Sequence, residues 1–117
     1  MAAPNIVGVT TITGKTAVLA ATTVATAIVA NPAASGKVFK INALYVSNVD
    51  GTNTADISID LFRSSTAYRI SNAIEVVGST TIDVISKSIY LEEGDSLRLT
   101  ASADGDLEAV CSYEELS

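Results

Sequence analysis

Two stretches of this sequence alternate polar and apolar residues one by one. Asp56-Ile57-Ser58-Ile59-Asp60-Leu61 does so without a break, and Ser96-Leu97-Arg98-Leu99-Thr100-Ala101 does the same further on. A period of two belongs to a β-strand with one buried face and one wet face; on a helix the same residues would scatter apolar groups around the whole circumference. Leu107-Glu108-Ala109-Val110-Cys111-Ser112-Tyr113-Glu114 follows the pattern more loosely. Strands that present a single apolar face must bury it against another layer. An all-β domain is therefore the expectation, and the abundance of stiff, β-branched Val, Ile and Thr favours the same choice.

Residues 38–47 are apolar on both faces apart from Lys40 and Asn42, which suits a central strand carrying Phe39, Ile41, Ala43 and Tyr45 on one side. Further strands are expected at 5–11, 17–20, 23–29, 66–70, 74–77, 80–85 and 88–91. Residues 16–29 are uncharged and rich in alanine, so a helix is the alternative there. The most apolar part of that run is about 14 residues, short of the roughly 20 that span a membrane. No positive charge precedes the apolar residues of the N-terminus, so no secretory leader is expected.

Turn residues punctuate these segments. Asn31-Pro32-Ala33-Ala34-Ser35-Gly36 reads as a loop, Asp50-Gly51-Thr52-Asn53 as a hairpin connection, Glu92-Glu93-Gly94-Asp95 as a tight turn and Asp104-Gly105 as a junction between two strands. Short strands punctuated every 8 to 12 residues predict an antiparallel β-sandwich. A jelly roll is preferred, because the apolar strand, Gly-Asp turn and alternating strand of Ile89 to Leu99 resemble the penultimate hairpin of such domains; an immunoglobulin-like sandwich is the alternative. The 117 residues make one domain, with residues 1–12 as an extended N-terminal arm or, at 5–11, as the first core strand.

Composition removes most chemistry. The chain has no histidine and one cysteine, Cys111, so histidine-dependent triads, histidine-ligated metals and multi-thiolate sites are excluded, and no catalytic, cofactor or metal residue is assigned. Cys111 is in phase with Leu107 and Ala109 and reads as a small core hydrophobe. Gly14-Lys15-Thr16 has the ending of a phosphate-binding loop. However, Val9 stands where the first glycine belongs, and the β-branched residues between resist the curl around a phosphate, so a glycine turn between strands is expected. Asp50, Asn53 and Asp56 lack calcium-loop spacing and read as turn residues. Glu92, Glu93 and Asp95 read as a solvated turn that keeps edges from sticking. With net charge −6 and no Trp, neither nucleic acid nor membrane is an expected partner.

What remains is excess apolar surface. Charged residues are 17% and hydrophobic residues 48%, with a mean hydropathy of +0.38. A protein–protein interface is the expected use of it. The charges are also divided. Residues 1–49 hold Lys15, Lys37 and Lys40 and no acid, while all thirteen acids lie beyond. The acid-free part either supplies inner strands or faces another protein, and in the second case Ile6, Val7, Val9 and Ile12 with Lys15 are the expected contact residues, added to a sheet edge of the partner.

The segments Ile12-Thr13-Gly14-Lys15-Thr16-Ala17, Asn31 to Asn42, Val49-Asp50-Gly51-Thr52-Asn53-Thr54-Ala55-Asp56 and Ile89 to Glu115 together resemble small virion structural proteins of tailed bacteriophages, especially those infecting marine cyanobacteria. The resemblance spans nearly the whole chain and includes no catalytic signature. It implies a non-enzymatic part of the phage particle, made in the host cytoplasm and partnered by the major capsid protein or other virion proteins. A capsid decoration or cement protein, dimeric or trimeric, suits the apolar composition best. A neck or tail component, or a fibre-associated carbohydrate- or receptor-binding module, is the alternative.

Overall fold

The computed structural model describes residues 4–117. Its strands are β1 (Ile12–Ala20), β2 (Thr26–Ala30), β3 (Val38–Asn48), β4 (Ala55–Arg63), β5 (Thr66–Val76), β6 (Thr81–Asp83), β7 (Ile89–Leu91), β8 (Ser96–Ala101) and β9 (Leu107–Leu116). They form two antiparallel sheets. The front sheet has the order β1-β9-β3-β6, with β7 also on β3; the back sheet has the order β2-β8-β4-β5. The chain changes sheet at almost every connection, so the first strand lies beside the last and the second beside the eighth. That interleaving is a jelly roll, as the sequence predicts.

The alternating segments behave as expected. Ile57 and Ile59 of β4 and Leu97 and Leu99 of β8 point inward and lose all exposure, against Leu44 and Val46 of β3 and Cys111 of β9. Burying side chains of this size is worth about 1.5–3 kcal/mol each. Residues 16–29 are strand, turn and strand rather than helix, because β1 and β2 find partners in β9 and β8.

Several expectations are corrected. Residues 5–11 are neither a core strand nor a fully extended arm. Ile6–Gly8 is a 3-10 turn with no buried residue, started by Asn5, whose Oδ1 accepts the Val7 N–H at 3.0 Å. Residues 1–3 of the expected arm lie outside the described residues. Gly14-Lys15-Thr16 is not a turn but the middle of β1, because β9 pairs without a break from Ile12↔Leu116 to Ala20↔Glu108. Residues 66–70 and 74–76 belong to one strand, β5, kinked at Ala73 with φ 50; Val77 lies just beyond it.

The Asp50-Gly51-Thr52-Asn53 turn is not a hairpin. It arches from β3 in the front sheet to β4 in the back sheet, and Gly78 packs under it: a Cβ there would lie 2.9 Å from the Asp50 carbonyl oxygen. The turn at 92–95 likewise crosses between sheets, from β7 to β8. The hairpin is β4–β5, closed by Ser64 and Ser65 with φ 52 and 60.

In β3 the expected single face breaks at Asn42, where the register with β9 shifts between Ile41 and Ala43. One extra residue reverses the alternation beyond it. Phe39 and Ile41 point inward, but so do Leu44 and Val46, and Tyr45 is turned to solvent.

Candidate interaction surface

The bulge at Asn42 builds the outer face of the front sheet. Val18 of β1 lies opposite Val110 of β9, and Val110 lies opposite Tyr45 of β3. The three form one cross-strand row and are 74%, 41% and 46% exposed. Flanking rows are Thr16–Ser112–Ala43 and Ala20–Glu108–Ser47; the central row runs on to Asp83 of β6, opposite Tyr45, so the three rows hold two charges, Glu108 and Asp83. Beside the row, a shallow recess of about 310 Å³ is lined by Val18, Leu19, Ala20, Glu108, Ala109 and Val110.

The outer face of the back sheet is different in kind. Asp60 is buried there with Arg69 Nε 2.8 Å from its Oδ1, and Arg98 lies opposite it in register with its guanidinium 3.9 Å over the Phe62 ring. On this face Asp60 is paired and Arg98 stacked, and Asp56 lies opposite Glu75; on the front face the Val18–Val110–Tyr45 row is apolar and exposed, with Lys40 opposite Glu114 further along.

The residues singled out from the sequence fall beside this face, in two groups. Ile6 and Val7 sit on the 3-10 turn, and Val7 is 90% exposed; Val9 is half-buried where the turn ends. Thr10 and Thr11 N–H groups donate to the Ser117 carbonyl oxygen at 2.8 and 3.0 Å, which pins the segment at the end of β9. Ile12 and Lys15 lie on β1 with opposite facing. Ile12 shares the outer face of Val18, whereas Lys15 turns the other way and meets Glu115 Oε2 of its own chain at 3.1 Å. Lys37 reaches the same carboxylate at 3.1 Å. Burial pushes the Glu115 carboxyl up, but the two ammonium groups outweigh it and hold it below its ordinary value.

The acidic clusters are structural devices. The Asp50 carboxylate accepts Thr52 N–H at 2.9 Å, Thr52 Oγ at 3.0 Å, Asn53 N–H at 3.3 Å and Asn53 Nδ2 at 2.9 Å, which hold its carboxyl far below the usual range. The cluster at 92–95 is not a solvated turn. Arg63 Nε donates to Asp95 Oδ1 at 2.8 Å and Arg63 Nη2 to Asp95 Oδ2 at 2.6 Å, while Glu93 Oε2 accepts the Gly36 N–H at 2.6 Å. Cys111 is buried, and burial pushes its thiol up to about 11. Among the described residues no group of three acids or thiols has metal-holding geometry.

Sequence reasoning put Tyr45 on one side of the strand with Phe39 and Ile41 and did not single out Val18 or Val110. The signal available was Asn42, a polar residue inside an otherwise apolar strand.

Fold and surface together define a small jelly-roll domain with an exposed apolar row on one outer face. No family model matches the chain, and no curated protein matches it in sequence. Among solved structures it is similar to a chain from Bacillus endospore appendages, described as a novel family of disulfide-linked pili. The TM-score is 0.54 at 17% identity, over 92% of this chain and 88% of that one. The likeness is one of fold.

Proposed function

We propose that this protein is a non-catalytic structural subunit that works by docking on other proteins, and that its place is the particle of a tailed bacteriophage, as a decoration protein on the capsid shell. The observation that carries the docking reading is the exposed Val18–Val110–Tyr45 row, set in a face whose three central rows hold two charges, Glu108 and Asp83. Apolar surface of this kind is expensive to leave in water and marks a contact site. The phage assignment is supported by the sequence resemblance; the likeness to a pilus-forming chain supports a structural subunit without favouring a phage. In this reading Ile6, Val7, Val9 and Ile12 extend the contact toward the major capsid protein. Lys15 acts by holding Glu115 rather than by reaching a neighbour.

A self-assembling appendage subunit is the second reading, favoured by the backbone likeness. Its subunits would associate without disulfides, because the one cysteine is buried in the core.

The experiment mixes purified protein with undecorated phage shells and images both by electron microscopy. Decoration predicts regular density on the shell and no fibres from the protein alone. Deleting residues 1–9, which spares the Thr10 and Thr11 bonds to Ser117, or replacing Val110 by Lys should abolish shell binding while the β-sheet circular dichroism persists. Fibres without shells would establish the second reading; binding unaffected by both changes would overturn the docking surface.

A further inference from the structure

A sandwich has open edges, and each is a row of unpaired backbone groups that proteins usually blunt. Three of the four here are blunted. β6 and β7 are three residues each. β2 is five residues with a register shift between Ala27 and Val29. β5 is kinked at Ala73, shifts register against β4, and carries Arg69 and Glu75. The fourth edge, β1, has none of these devices. It runs nine residues in unbroken register with β9, contains no proline, and its one charge, Lys15, is neutralised by Glu115.

We propose that β1 pairs with β1 of a second copy, antiparallel, about a two-fold axis at Thr16. The strand is complementary to itself in the one register that uses all nine residues. Thr16 then lies opposite Thr16, a favourable cross-strand pair. Gly14 lies opposite the second copy's Val18. A side chain at Gly14 would meet nothing within 4 Å, so the space above it is open to receive that valine. Ile12 lies opposite Ala20, large against small again, and Lys15 lies opposite Ala17, so no like charges face each other. The contact runs about 30 Å, nine residues at about 3.3 Å each. It joins the two front sheets and brings both Val18–Val110–Tyr45 rows onto the same side. Such an isologous contact closes on itself and gives a dimer. This goes beyond the docking function proposed above and rests only on its premise that the protein acts through protein contacts.

The pairing is tested with Thr16, which is exposed and lies outside the core cluster. Wild-type protein should have twice the 12.0 kDa chain mass by light scattering. Thr16→Lys and Thr16→Glu each place like charges on the axis and should both give the single-chain mass; mixing them should restore the double mass. Thr16→Cys should form a covalent dimer under diamide, since directly opposed residues lie about 5 Å apart at Cα, within disulfide reach. Val24→Cys, exposed but off the strand, should not. A monomeric or higher wild-type mass, no recovery on mixing, or cross-linking of Thr16→Cys no faster than of Val24→Cys would each overturn the pairing. Shell binding by a monomeric Thr16→Lys variant would leave the docking function intact, which separates the two.

Discussion

Two asparagines hold the sheets together from opposite ends. Asn31, at the end of β2 in the back sheet, donates its Nδ2 to the Lys37 and Leu91 carbonyl oxygens at 2.9 and 3.0 Å. Asn48, at the end of β3 in the front sheet, donates to the Asn53 and Val76 carbonyl oxygens, both at 2.8 Å, and accepts the Asp50 N–H at 2.9 Å. Both are buried, so a lost donor leaves carbonyl groups that water cannot reach. Asn48→Leu is expected to destabilise by about 2–4 kcal/mol, read as a lower urea midpoint, whereas exposed Asn72→Ala should move it by under about 0.5 kcal/mol. Asp95 plays a similar part for the turn at 92–95. Burial raises its carboxyl, but the two-pronged Arg63 bond and the Glu92 N–H outweigh that and leave it below its ordinary value. Asp95→Ala should cost about 2–3 kcal/mol, toward the low side for a buried pair because Arg63 is partly exposed and can rehydrate. Cys111 should resist thiol reagents until denaturant is added, since burial both shields it and suppresses its thiolate; Cys111→Ser should cost about 1–3 kcal/mol. Rapid native-state labelling would contradict its placement.

Among the elements, the β4–β5 hairpin leaves stability unused. Its two-residue turn needs left-handed backbone at both positions, and serine supplies it at Ser64 and Ser65 under strain. Asn-Gly is the pair suited to this turn. The double change Ser64→Asn with Ser65→Gly is expected to raise stability by about 0.5–1 kcal/mol, seen as a melting temperature higher by about 2–6 °C. A fall would mean that the serines hold a contact beyond the turn. The bulge in β3 is the opposite case, an irregularity with a use. Without it Tyr45 would point at the core and the outer row would end at Val110.

Over the whole molecule the jelly roll redistributes the charge that the sequence divides. Lys15 and Lys37 come from the acid-free part, yet both meet Glu115 near the C-terminus, because β1 and β3 flank β9. The acid-free part therefore does not supply only inner strands: β3 is central, while β1 and β2 are edges. At the end where Thr23 N–H bonds Asp104 and Val49 N–H bonds the Asp106 carbonyl oxygen, the loops hold Asp50, Asp104 and Asp106 and no base. Asp50, Asp95 and Glu115 all have lowered carboxyls. Groups of this sign contribute stability that is present above their unfolded values, near pH 4, and lost as pH falls through the folded ones. The urea midpoint should thus fall steadily below about pH 4. Asp95→Ala should flatten that fall, and an equally steep acid limb in the variant would remove Asp95 as a cause.

The alternation in β4 and β8 was enough to determine an all-β sandwich, because which side of a strand faces the core is decided from one residue to the next. Turn residues gave most strand boundaries for the same local reason. Sequence could not decide that Asp50–Asn53 leads to the other sheet, that residues 5–8 form no strand, or that Tyr45 faces outward. Those outcomes depend on partners far along the chain: β9 sets the bulge at Asn42, Gly78 packs under the 50–53 arch, and Ser117 holds Thr10 and Thr11. The apolar outer row exists only in the tertiary structure, because Val18, Tyr45 and Val110 become neighbours when β1 and β3 take opposite sides of β9.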